Sequence, residues 1–141
     1  MFGGLESVVI AVKDIDHAVE QYRALLHQEP ASTSTRGTLR TAFFDFEDSS
    51  LGFLQDDDPD SPVGRFIARR GEGLYYVGLH SDDPTAVVGE LRDEEVRLVG
   101  DPGPGAEVTH TSGMVFIHPS VASGALIRIL PRHHRHAGET D

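Results

Sequence analysis

The chain has 141 residues and 38% hydrophobic content, enough for one folded domain with a core, and no apolar run long enough to span a bilayer. A formal net charge of −11 argues against nucleic acid as a partner, because phosphates would be repelled. Cysteine is absent, which excludes disulfides and thiolate chemistry, and Met1-Phe2-Gly3-Gly4 lacks the features of a signal peptide, so a cytoplasmic home is expected.

Taken in order, the chain opens with a strand, L5-E-S-V-V-I-A-V12. Asp14 or Asp16 then caps a helix whose apolar face is Ile15, Ala18, Val19, Tyr22, Leu25 and Leu26, at helical spacing. Three strand-like stretches follow, roughly Ala31–Arg36, Thr38–Phe46 and Ser50–Gln55. Residues 56–72 read as a linker, with an acidic run at Asp56, Asp57, Asp58 and Asp60. That run lacks the ligand alternation and closing Glu of a calcium loop, so it reads as solvated surface. A second strand, L74-Y-Y-V-G-L-H-S81, lies over the first at an offset of 69. Its helix is capped by Asp82 or Asp83, starts on Pro84 and turns Val87, Val88 and Leu91 inward. Strands are then expected at Val96–Val99, Ser112–His118 and Ala125–Leu130, with D101-P-G-P-G-A106 absorbing the extra length of this copy.

The chain therefore contains one unit twice: strand, helix and three strands. The expected fold is α+β, two tandem βαβββ modules forming a curled mixed sheet around a cleft. Module one covers 5–55 and module two 73–131, in a single domain over 1–131. Residues 132–141 are expected to be a disordered tail, in which R132-H-H-R-H136 offers only weak, non-specific metal affinity.

The last strand, G124-A-L-I-R-I-L130, carries a guanidinium at its centre. An unpaired buried charge costs several kcal/mol or more. Arg128 must face water, pair with an acid such as Asp45 or Glu47, or receive a negative ligand.

The repeat resembles the vicinal oxygen chelate superfamily of glyoxalases, extradiol dioxygenases, fosfomycin-resistance and bleomycin-binding proteins, and within it the methylmalonyl-CoA epimerases. The stretches that carry this are V8-V-I-A-V-K-D-I-D-H-A-V-E-Q-Y-R, D60-S-P-V-G-R-F-I, G73-L-Y-Y-V-G-L-H and F116-I-H-P-S-V-A-S-G-A-L-I-R-I-L. The resemblance implies a divalent metal on four side chains, at positions occupied here by Ser7, Gly52, Tyr76 and Arg128. None of these suits a cation that wants imidazole, carboxylate or carbonyl oxygen. The family's acid–base pair falls on Arg128 and, by its place before a glycine turn, on Thr35. No metal and no cofactor are therefore expected.

Strand alternation puts Ser7, Val9 and Ala11 on one face, and likewise Tyr76, Gly78 and His80; Leu126, Arg128 and Leu130; and Ser50, Gly52 and Leu54. The expectation is a metal-independent enzyme, an isomerase, lyase or cyclase, acting on a small carboxylate, carbonyl compound or acyl thioester, with secondary metabolism as one setting. Arg128 and Tyr76 would stabilise negative charge, and His80 or Asp45 would move the proton. Ser7, Val9, Gly52, Leu54, Gly78 and Leu126 would line the substrate. A non-catalytic binding or antibiotic-sequestering protein is the first alternative, and an epimerase or glyoxalase with an atypical metal site the second. His80 at a strand end reads more readily as an exposed histidine, His118 as a turn-fixing one, and His110 as part of a loop over the site. Arg65, Arg69 and Arg70 read as a solvated helix face. The partner expected is a small molecule, with no nucleic acid or membrane, and the protein is expected to be a homodimer.

Overall fold

The computed structural model describes residues 1–110 and 114–132. Its elements run β1 (Phe2–Ala11), α1 (Ile15–Leu26), β2 (Ser32–Arg36), β3 (Leu39–Asp45), β4 (Ser50–Asp56), α2 (Pro62–Arg70), β5 (Gly73–Ser81), α3 (Pro84–Asp93), β6 (Leu98–Val99), β7 (Val115–Ile117) and β8 (Ile127–Pro131). Strand, helix and three strands thus occur twice, as the repeat requires. The strand order is β2-β3-β4-β1-β5-β8-β7-β6, and the sheet is mixed. β5 and β8 run parallel, whereas β2–β3, β3–β4, β6–β7 and β7–β8 are antiparallel. The His-rich segment after Arg132 lies outside the described residues. No helix among them is long and apolar enough to cross a membrane.

The described residues divide into two compact units, Val8–Tyr75 and, separately, Met1–Ser7 with the described residues after Tyr75. Strand β1 contributes its first six residues to one and the remainder to the other.

In the unit Val8–Tyr75, Asp14 caps α1 by accepting from the His17 amide at 3.2 Å, while Asp16 is used otherwise, in an ion pair with Arg40. The inner face of α1 packs with Val12, Ile15, Ala18, Ala42, Phe44 and Phe53, flanked by Ile10, Val19, Tyr22, Leu26 and Leu51. Tyr22 and Phe44 both meet the Phe53 ring, with centroids 4.8 and 6.2 Å away. Burying side chains of this size contributes roughly 1.5–3 kcal/mol each. Leu25, expected on the inner face, is 69% exposed. The apolar stripe is centred on Ile15, Ala18 and Tyr22, and Leu25 falls at its edge. The stretch read as a linker contains α2, capped by the Ser61 hydroxyl.

In the other unit, Asp83 caps α3 and Pro84 occupies its first turn. Val87, Val88, Val108, Val115 and Ile129 form the core, with Phe2, Leu91, Leu98 and Ile117 packed against it. β6 is only two residues long, shorter than Val96–Val99. Gly100 ends it at φ +76°, where an added Cβ would lie 2.4 Å from the Met114 carbonyl oxygen. β7 runs over Val115–Ile117, the start of the expected strand at Ser112 lying outside the described residues, and β8 starts at Ile127, so Leu126 precedes the strand in which it was expected.

Candidate functional site

The register of β5, β8 and β7 sets Gly78 and Phe116 opposite Arg128. Alternation then separates two faces. Val115, Ile117 and Ile129 turn towards α3. Tyr76, Gly78, His80, Phe116, Arg128 and Leu130 share the opposite face.

Arg128 is half-buried there. Its Nη1 donates to the Tyr76 hydroxyl and its Nη2 to the His110 carbonyl oxygen, both at 3.1 Å. The guanidinium also lies 5.8 Å from the Tyr76 ring centroid, and that ring packs edge-on against Phe116. Its Nε is buried without a partner among the described residues. Within its own unit no described carboxylate pairs with Arg128. Ser7 is 4% exposed, and its Oγ stands 2.8 Å from where a Gly78 Cβ would be, so the glycine makes room for the hydroxyl.

His80 is 6% exposed, which corrects the reading of it as a surface histidine. Its ring lies against the backbone of Gly3 and Gly4, and Nδ1 has no partner among the described residues. His118 takes the turn-fixing role: its Nδ1 accepts from the Ser120 amide at 3.0 Å. Leu126 contributes its carbonyl oxygen to the Val77 amide at 3.1 Å.

In the unit Val8–Tyr75, Phe43 pairs with Gly52, Thr41 with Leu54 and Asp45 with Ser50. Ala42, Phe44 and Phe53 belong to the α1 core. Asp45, Ser50, Gly52 and Leu54 therefore lie on the face away from α1, which settles the parity of Asp45. Ile10 and Val12 pack with α1, so Val9, fully buried, also turns to the other side. A Cβ on Gly52 would come 2.3 Å from the Phe43 ring. The ring fills the space of a longer side chain at position 52. Thr35 is corrected: it pairs with Arg40 and so belongs to the α1 side of β2, and is exposed. Thr41 also puts a hydroxyl on the Gly52 face, 2.7 Å from Ser34 Oγ.

The metal implied by the resemblance does not fit these residues. Position 52 has no side chain and its space is taken by Phe43, Arg128 repels a cation, and a serine hydroxyl and a phenol are poor neutral ligands. Among the described residues no three His, Asp or Glu side chains are grouped to hold a metal. Phe43, Thr41 and the Gly3–Gly4 pair escaped the sequence reading. The glycine pair alone carried a signal, since glycines inside a strand mark close approach of a neighbour.

Comparison with known proteins gives one consistent answer. The family model described as the glyoxalase/bleomycin resistance protein/dioxygenase superfamily matches residues 7–112. An ethylmalonyl-CoA/methylmalonyl-CoA epimerase of Cereibacter sphaeroides is 27% identical over 135 residues, 92% of this chain and 98% of that protein. Among solved structures, Streptomyces coelicolor methylmalonyl-CoA epimerase in complex with 2-nitronate-propionyl-CoA is 29% identical with a TM-score of 0.79, covering 93% of this chain and 96% of the other. The Mycobacterium tuberculosis methylmalonyl-CoA epimerase is 28% identical with a TM-score of 0.77, covering 92% and 89%. The chain belongs to the glyoxalase/bleomycin resistance protein/dioxygenase superfamily.

Proposed function

We propose that this protein is a metal-independent isomerase-type enzyme acting on a small carboxylate- or carbonyl-bearing substrate, an acyl-CoA thioester foremost. The observation that carries the reading is Arg128: a half-buried guanidinium on an apolar strand, with no described acid of its own unit paired to it and a buried Nε that has no partner among the described residues. A buried donor left unmade costs about 1–3 kcal/mol. A ligand oxyanion recovers that cost, and a guanidinium presents the matching fork. The bonds to Tyr76 and the His110 carbonyl hold the fork in one orientation before any ligand arrives.

Removing a proton from carbon next to a carbonyl leaves negative charge on the oxygen. A fixed cation stabilises that enolate in the transition state more than in the ground state, which is the condition for catalysis. His80 and Asp45 are the candidates to take the proton, and Ser7, Val9, Gly52, Leu54, Gly78 and Leu126 to contact the substrate. The thioester preference rests on the epimerases to which the chain is similar. The lack of cysteine suits a reducing compartment, and we place the protein in the cytoplasm.

The test is turnover across a panel of acyl-CoA thioesters and diketones, followed by mass spectrometry, for wild type and Arg128→Ala. Loss of a single oxyanion-stabilising donor costs about 100- to 1,000-fold in rate, and a drop of that order is expected with circular dichroism unchanged. Equal rates would refute the assignment. Tight binding without turnover of any panel member would turn the reading to a sequestering protein.

A further inference from the structure

His80 lies on the same face as Arg128, two residues along β5 from the glycine paired with it. Three glycines clear this face. Gly78 admits the Ser7 hydroxyl, and Gly3 and Gly4 admit the His80 ring. A Cβ on Gly3 would stand 2.9 Å from His80 Cε1 and 3.1 Å from Nδ1, and one on Gly4 would stand 3.3 Å from Nε2. Contacts below 3.0 Å are not tolerated without movement, so an alanine at position 3 would displace the imidazole. The ring is thus wedged edge-on against the backbone of β1.

The wedge distinguishes the two ring nitrogens. Nδ1 is buried and has no partner among the described residues. Nε2 is not among the buried unpartnered atoms, so it is the less enclosed of the two ring nitrogens. A merely structural histidine uses its nitrogens in hydrogen bonds, as His118 does with Ser120. His80 does not.

Building on the function proposed above, we infer that His80, through Nε2, is the group that moves the substrate proton, in preference to Asp45, and that Gly3 and Gly4 are the positioning residues that seat it. Nε2 takes the proton from the carbon beside the carbonyl. The C–H electron pair becomes the enolate, whose charge Arg128 holds, and a proton returns to the opposite face of that carbon, which inverts it. Atoms and electrons balance with no further reactant.

Two measurements test this. The first uses 2-nitronate-propionyl-CoA as the probe. Calorimetry should show binding that Arg128→Ala weakens tenfold or more, and ¹⁵N histidine spectra should show His80 Nε2 shifting on binding. Binding that depends on Arg128 with no shift at Nε2 overturns the role of His80 and leaves the proposed function standing. No binding at all overturns both. The second follows deuterium uptake at the α-carbon of methylmalonyl-CoA in D₂O. His80→Ala should slow it at least about 100-fold, the usual contribution of a positioned acid–base group, with affinity for the probe within threefold of wild type. Free imidazole should restore part of the rate by occupying the vacated niche. Gly3→Ala should lower the rate tenfold or more while the probe still binds. Wild-type exchange in His80→Ala, or in a folded Gly3→Ala, would disprove the assignment.

Discussion

Arg92 and Asp101 show what a structural arginine looks like in this protein. Arg92 donates through Nε and Nη2 to the two oxygens of Asp101 at 2.8 and 2.6 Å, a bidentate pair with side chains 27% and 24% exposed. Hydrogen bonding to Arg92, and then to the Gly103 amide, lowers the Asp101 carboxyl to about 2. Among the described residues of its unit no acid pairs with Arg128 in this way, and the contrast is the reason for reading it as a ligand-binding group. Because the Asp101 value is depressed in the folded state, its stabilisation is complete above the ordinary carboxylate range near 4 and is lost as pH falls towards 2. Asp101→Asn should therefore lower unfolding free energy at pH 7 by about 1 kcal/mol, a modest figure because the pair is partly solvated. Denaturant titrations at pH 7, 4 and 2 should show the gap between variant and wild type closing only below about pH 4.

At the scale of elements, α2 is the instructive case. Two prolines and two glycines between residues 56 and 72 read as a linker. In the structure Ser61 Oγ accepts from the Gly64 amide at 2.9 Å and donates to the Asp58 carbonyl at 2.8 Å, while Pro62 takes the first turn, where its missing amide costs nothing. Serine followed by proline is a helix start, a signal outweighed here by composition. Arg65, Arg69 and Arg70 are exposed on this helix, as the sequence implies, and Arg70 lies over the Phe66 ring at 5.7 Å. Ser61→Ala should destabilise the protein by about 1 kcal/mol and speed hydrogen exchange at the Gly64 amide. Unaltered exchange there would show that the cap does not hold the helix.

For the whole molecule, exposed strand edges bear on assembly. β2 ends one side of the strand order and has four of its five residues exposed. An open edge of hydroxyl-bearing residues is a pairing surface. We propose a homodimer, so light scattering coupled to size exclusion should read twice the 15.3 kDa chain mass. A mass of one chain at micromolar concentration would reject it.

The paired modules, the capping aspartates and the apolar faces of α1 and α3 were legible from the residues, because hydrophobic period and capping chemistry act within a few positions of the chain. So was the guanidinium in the place of a carboxylate, since position in a repeat survives without coordinates. Other features depend on which strands become neighbours: the burial of His80 against Gly3 and Gly4, the Phe43 ring over Gly52 and the face of Asp45. Such contacts join residues of different strands, and a shift of one residue in register sends every side chain to the opposite face, so no local pattern could have specified them.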